Sequence, residues 1–350
     1  MPEFPLDPPT KTLRLAIDRD ALRGNWAALD RLSGTAAAGA AIKANAYGVG
    51  TSVVVPELLA AGCRDFFVAH PREAADVIDR LDPAMLSVLH GPLTAAHAAW
   101  IKAAGVKPVI NSREQARRWL DIGGGRCDLM IDTGINRLGL PLDHLGDEMI
   151  SALDVDVLLS HLSSAEEVSE RNGRQQRRWR EACGQVAHRR ASLANSAGII
   201  LGPDYHGDLT RPGLALYGGI PCEGLASHIR QVATPEAAIM QVRAIGPGEA
   251  IGYNALFVAQ APMRVGTIAL GYADGYLRCW TGKGTMRGLG VQLPVLGRVS
   301  MDMTVIDLTS ATDLREGDWV SADYDLPHAA VASGLSQYEL LTSLGSRFSR

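Results

Sequence analysis

Aromatic side chains are scarce, at 5% of 350 residues, which leaves little material for the stacking platforms of single-strand nucleic-acid binders. Charge of one sign is lacking too. The net charge of −4 sets up no global field toward nucleic acid or an anionic membrane, so neither is expected as a partner. No apolar run is long. The most apolar stretch, 36–42, falls far short of the ~20 residues a membrane-spanning helix needs. The first residues are acidic and proline-rich, without the basic and apolar regions of a secretory signal. The expected location is the cytoplasm. Cysteines 63, 127, 183, 222 and 279 form no C-x-x-C and are expected to be idle thiols in a reducing compartment. The nine histidines include no H-x-H or H-x-x-x-H pair, so no metal site is expected.

What is present is an ordinary globular balance, 47% apolar and 21% charged. From 13 to 230, short apolar runs alternate with longer amphipathic stretches. The runs fall at 39–42, 66–69, 86–89, 108–110, 129–131, 155–159, 192–194 and 209–216, and helical patterns lie between them, as at 53–61, 72–80, 94–103, 113–120 and 173–187. About eight strand–helix units predict parallel strands with helical crossovers. Eight over this length suits an α/β fold of the (β/α)8 barrel type. After 231 the helical pattern nearly vanishes, and β-rich runs bounded by glycine and proline predict a second, mainly β domain over 231–350. Residues 1–12 are expected to fold with it.

Barrel chemistry gathers at the carboxyl ends of the strands. Reading the polar residue after each run places Lys43 after the first, Asp132 and Arg137 after the fifth, His161 after the sixth, Asn195 and Ser196 after the seventh, and Arg211 and Gly213 at the eighth. Each has an ordinary reading alone: a lysine is usually solvated, a histidine usually structural. Together on one rim they read as a site. Barrels often bind phosphate after strands seven and eight, where Ser196 and the backbone of Gly213 and Leu214 stand, glycine allowing close backbone approach. Gly282-Lys283-Gly284-Thr285 lacks the upstream glycine of a phosphate loop and reads as a surface turn.

The segment Ala41-Ile42-Lys43-Ala44-Asn45-Ala46-Tyr47-Gly48-Val49-Gly50 resembles the cofactor-attachment motif of alanine racemases. Further matches follow in family order. They are Asp132-Thr133-Gly134-Ile135-Asn136-Arg137-Leu138-Gly139, Ser160-His161-Leu162, Ala194-Asn195-Ser196, Arg211-Pro212-Gly213-Leu214-Ala215-Leu216-Tyr217-Gly218, Ile251-Gly252-Tyr253, Gly271-Tyr272-Ala273-Asp274-Gly275-Tyr276 and Gly297-Arg298-Val299-Ser300-Met301-Asp302. The resemblance implies a barrel that binds pyridoxal 5′-phosphate (PLP), followed by a β domain, in a head-to-tail homodimer with shared sites. It implies an isomerase of L- and D-alanine that supplies D-alanine for peptidoglycan.

It further implies that Lys43 holds the cofactor and serves one face of Cα, and that Tyr253 of the partner subunit serves the other, supported by His161 and Arg211. A free tyrosine titrates near ~10, so such a phenol needs help to give up its proton. By the same resemblance, Tyr47, His161, Asn195, Ser196, Arg211, Gly213 and Leu214 hold the cofactor, and Arg137, Met301, Asp302 and Tyr272 meet the substrate. One departure stands out. Many members carry a modified lysine where this chain has Met130, so Arg137 needs another partner, for which Asn136 or a bound chloride would serve. The competing readings are a serine-type or broad-specificity racemase, a PLP barrel decarboxylase, whose cysteine signature is missing, and a non-catalytic PLP-binding protein, which would lack the β domain.

Overall fold

The computed structural model describes residues 11–350. Its chain divides into two units, one formed by 19–230 and the other by 231–350 together with the segment ending at Asp18.

The second unit begins with strand β1 (Leu13–Ile17), which pairs antiparallel with residues 233–237. This corrects the expected boundary at 13. Local pattern cannot reveal the partner of a five-residue strand when that partner lies more than two hundred residues away. The part of the expectation that concerns residues 1–10 lies outside the described residues.

The first unit contains β2 (Ala37–Ala38), β3 (Ala40–Ala41), β4 (Phe66–Val68), β5 (Leu86–Val88), β6 (Lys107–Ile110), β7 (Arg126–Met130), β8 (Asp154–Leu159), β9 (Arg190–Ser192) and β10 (Leu209–Thr210). β3 to β9 form one parallel sheet in sequence order, and β10 pairs parallel with β2. β2 and β3 are one strand interrupted at Gly39. The eight resulting positions close into a ring: Ala37 N donates to Asp208 O and Ala41 N to Pro212 O on one side of β10, while Asp208 N donates to Ala191 O and Arg211 N to Ala194 O on the other. The interior is filled by Phe67, Val109, Met130, Val157, Leu159 and Leu209. Met130 therefore serves packing at the position for which the resemblance implies a modified lysine.

The amino-terminal end of this barrel is closed by buried charges. Lys107 Nζ lies 2.7 Å from Asp156 and 3.8 Å from Asp128, and Arg190 bridges Asp65 and Asp156 at 2.8 and 3.0 Å. Barrel chemistry is built at the opposite end. The helical pattern expected over 72–80 resolves into a short helix, Pro71–Ala75, and a separate 3-10 turn, Ile78–Arg80.

In the second unit, β11 (Ala233–Ile245) is followed by β12 (Ala250–Ile251), β13 (Phe257–Val258), β14 (Met263–Ile268), β15 (Thr285–Gly288), β16 (Val291–Leu296), β17 (Thr304–Asp307) and β18 (Trp319–Ala322). The order β11-β14-β17-β16-β15-β18 returns to β11 through antiparallel pairs, so the sheet closes on itself. Two helices, Leu326–Ser333 and Gln337–Thr342, follow it. Both are short, which is why the helical period was faint there.

Candidate active site

Lys43 follows directly from the first barrel strand, whose ladder ends with Ile42 N donating to Phe67 O at 2.8 Å. The backbone then turns the rare way. Ala44, Asn45, Ala46 and Tyr47 all have φ between 52° and 54°, one left-handed turn closed by Ala46 N to Ile42 O (2.8 Å) and Gly48 N to Ala44 O (2.9 Å). Left-handed backbone costs L-residues roughly 1–2 kcal/mol each, and such strain gathers at functional sites. Its supports are visible. Asn45 Oδ1 accepts from Thr51 N and Thr51 Oγ1 at 2.9 and 3.2 Å. The Tyr47 ring stacks on Tyr217, centroids 5.0 Å apart, and Tyr217 OH donates to Ala41 O at 2.8 Å. Desolvation first, then Arg137, lowers the proton affinity of the Lys43 amine; Glu73 opposes them, and Arg211 adds a smaller lowering effect. Burial thus favours the neutral form, which is the form that acts as a nucleophile and a base.

Beside this turn lies a cradle of hydrogen-bond donors. Ser196 Oγ accepts from Gly213 N at 3.0 Å and Ala215 N at 3.3 Å. Gly213 is required there, since a Cβ would stand 2.3 Å from Tyr47 OH. Burial pushes that phenol up to about 12, so it stays protonated and can donate. Leu214 opens the buried 3-10 turn Leu214–Tyr217. Ser196 Oγ, held by two backbone amides, and the Tyr47 phenol beside Gly213 are hydroxyls of the kind that suit an anionic oxygen group.

Arg211 is buried. It donates to Ser192 Oγ and Ser160 O inside the barrel and to Leu193 O at 3.5 Å. Desolvation brings its guanidinium down to about 10, which still leaves it cationic at neutral pH. Desolvation, followed by Arg211, Arg137 and Lys43, brings His161 down to about 3, so its imidazole is neutral. Gln175 fixes the backbone here, donating to His161 O at 2.9 Å and Thr133 Oγ1 at 3.2 Å. Arg137 is exposed at the tip of a loop that leaves β7 and returns through Leu140 N to Met130 O, 2.7 Å. Asp132 Oδ1 shapes that loop by accepting from Gly134, Ile135 and Asn136 amides at 2.8 to 3.2 Å. Asn195 Oδ1 accepts from Gly198 N at 2.9 Å, capping a turn.

The remaining predicted residues stand in the β unit. Tyr253 is 68% exposed, on a turn in which Gly252, Asn254 and Ala255 all have positive φ. Tyr272 N donates to Ser300 O and Ala273 N to Met301 O, both at 3.0 Å. The Arg278 guanidinium lies over the Tyr272 ring, 4.9 Å from its centroid. Met301 is exposed, and Asp302 pairs with Arg347 at 2.8 Å.

The barrel thus brings Lys43, Tyr47, Arg137, His161, Asn195, Ser196, Arg211, Gly213 and Leu214 to one rim, while Tyr253, Tyr272, Met301 and Asp302 lie on the other unit. Sequence reasoning missed Glu73, Gln175 and the carboxylate role of Asp132. Each accepts or donates at backbone groups near the rim, and a polar residue inside a helical pattern gives no sign of that. Among the described residues no group of histidines, cysteines and carboxylates is arranged to hold a metal, and no helix is long and apolar enough to cross a membrane.

Comparison with known proteins agrees along the whole chain. Residues 17–221 match the family model for the alanine racemase N-terminal domain, and 232–350 that for the C-terminal domain. An alanine racemase of Acidiphilium cryptum is 38% identical, covering 96% of this chain and 97% of the relative. A biosynthetic alanine racemase of Agrobacterium fabrum is 38% identical over 97% of this chain and 93% of the relative. Among solved structures, alanine racemase from Bartonella henselae with covalently bound pyridoxal phosphate aligns with a TM-score of 0.88 at 32% identity, covering 98% of this chain and 99% of that one. The strand order, the rim and these matches agree: the chain belongs to the alanine racemase family, a family of isomerases.

Proposed function

We propose that this chain interconverts L- and D-alanine using PLP held at the carboxyl end of the barrel. What carries it is Lys43, a partly buried amine of lowered proton affinity, set on a strained turn beside a donor cradle. The cradle suits the cofactor's phosphate: Ser196 bonds the Gly213 amide, the Tyr47 phenol stands where a side chain at residue 213 would intrude, and the Gly213 and Leu214 backbone would complete the site. When bound, the cofactor supplies the electron sink that lets Cα lose its proton. Lys43 would hold it covalently and exchange a proton on one face of Cα. Tyr253 of the partner subunit would do so on the opposite face. His161, neutral and held by Gln175, lies with Arg211 in the chain of polar groups that supports that phenol. Arg211, cationic and a donor only, would leave a ring nitrogen held against it unprotonated, which would disfavour side reactions. Asn195 shapes the loop that carries Ser196. Arg137, with the Met301 backbone, Asp302 and Tyr272, binds substrate, Arg137 taking the carboxylate.

The resemblance implies a head-to-tail homodimer, which would bring Tyr253 of one copy to Lys43 of the other. A role in supplying D-alanine is supported by a relative named biosynthetic, with the cytoplasm as its proposed place and the cell wall as its proposed destination. Incubation of the purified protein with L-alanine in deuterated water tests the reaction. The expected result is D-alanine carrying deuterium at Cα. Carbon dioxide release, or exchange of serine but not alanine, would replace this reading.

Ser196→Ala removes a hydroxyl from the cradle. A hydrogen bond to a charged group is worth about 1.5–3 kcal/mol, so PLP affinity should fall about 10- to 100-fold. Titration of the cofactor-free chain with PLP measures it. An unchanged affinity would move the phosphate elsewhere.

A further inference from the structure

Just beyond the first two barrel strands, the ladder runs out of backbone acceptors. Ile42 N still reaches Phe67 O, but the next amides, Ala44 on one strand end and Ala69 on its neighbour, turn instead to a side chain. Glu73 Oε1 accepts from Ala44 N and Oε2 from Ala69 N, both at 2.7 Å. Both oxygens of one carboxylate are used, and the side chain is 19% exposed. Charge-assisted bonds of this length are the strong ones. Glu73 is itself held, with its own N–H donating to His70 Nδ1 at 3.4 Å. The Ala44 amide opens the left-handed turn, so the clamp acts at the residue next to Lys43.

We propose that Glu73 is a positioning residue for Lys43: its carboxylate staples the backbone after Lys43 to the end of β4 and sets a negative charge against the Arg137 and Arg211 cations. The groups that act on the Lys43 amine are Arg137 and Arg211, which favour its neutral form, and Glu73, which favours the charged one. His90 and His161, in turn, feel Lys43. Glu73 is the carboxylate in this set. Two arginines and burial alone would leave a poor base. Glu73 returns proton affinity to the amine while fixing the direction from which its side chain leaves the strand. The proposal rests on Lys43 being the reactive amine.

Three variants of the full-length chain separate staple from charge. Glu73→Gln keeps the shape but removes the charge and turns an NH2 toward an N–H. Glu73→Asp keeps the charge and, one methylene shorter, cannot bridge both amides. Glu73→Ala removes both. Acetic anhydride labelling of Lys43 in the cofactor-free chain, followed by mass spectrometry across pH, reads the amine directly and does not depend on turnover. Loss of the negative neighbour should move the labelling half-point of Glu73→Gln to lower pH, by about one unit. The acidic limb of kcat/KM should move the same way. Glu73→Asp should keep the wild-type half-point and limb while kcat/KM falls ~10-fold or more, an outcome that charge alone would not give. Glu73→Ala should show both changes. Wild-type half-points in Glu73→Gln, or wild-type kcat/KM in Glu73→Asp, would overturn the proposal. Failure of the underlying reading is seen separately, as activity surviving in Lys43→Ala.

Discussion

Replacing Lys43 with alanine should lower the racemisation rate by ~10⁴-fold or more in both directions and remove the covalently held cofactor. Two functions are lost at once. A positioned acid–base group typically contributes ~10²–10⁴-fold, and covalent attachment by a lysine amine adds to that. The lowered proton affinity of this amine fits both roles, since only a neutral amine attacks a carbonyl or accepts a proton. The fold should tolerate the change. Lys43 is only partly buried, and the hydrogen bonds of the turn that follows are made by backbone, by Asn45 and by Glu73. Alanine fits the same backbone. The measurements are initial rates from each enantiomer, mass of the denatured chain after borohydride reduction, and circular dichroism as a fold control. A small primary amine such as methylamine should restore part of the rate, because it can supply the missing base without the tether. A variant that keeps more than about a tenth of the wild-type rate with its fold intact would remove Lys43 from the chemistry.

The barrel was legible because alternation of apolar runs with amphipathic helices is a local pattern. Each of the eight runs lies at a strand position, and the rim residues follow because chemistry follows strand ends. What escaped was non-local or conformational. β1 is a short alternating strand whose partner, 233–237, lies at the far end of the fold. Lys107, Asp128 and Asp156 are charged yet sit inside strands, tolerated because they pair with one another and with Arg190. Lys107 and Asp128 shortened the visible apolar runs, while Asp156 lies within one. The left-handed turn 44–47 is written as Ala-Asn-Ala-Tyr, residues that carry no glycine signal, and only Asn is at ease there. Its support comes from Glu73 and from the Tyr47–Tyr217 stack, contacts between segments far apart in sequence. Tyr253 shows the opposite limit. Alone it is an exposed phenol on a strained turn, and nothing in hydrophobic period marks it. Only the family motif did.

Tyr253→Phe gives the sharpest test of that residue. L- and D-alanine have equal free energies in water, so kcat/KM must fall by the same factor in both directions, and loss of one acid–base group sets that factor at ~10²–10⁴. Exchange without inversion is what distinguishes the two faces. Lys43 can still remove and return the proton on its own face. The family resemblance gives Lys43 the face that D-alanine presents, so deuterium should enter D-alanine from solvent at a substantial rate while racemisation nearly stops. PLP binding should be unchanged, because the cradle of Ser196, Gly213 and Tyr47 lies wholly in the other unit. Racemisation within about threefold of wild type, or equal loss of exchange from both enantiomers, would remove the phenol from its role. Mixing settles whether it acts across subunits. Lys43→Ala and Tyr253→Phe chains, each inactive alone, are unfolded together and reassembled. If a site takes Lys43 from one copy and Tyr253 from another, each mixed dimer has one site with both groups and one with neither. Random pairing then returns roughly a quarter of wild-type activity. If both groups serve the site of their own chain, every site in the mixture lacks one of them, and no activity returns.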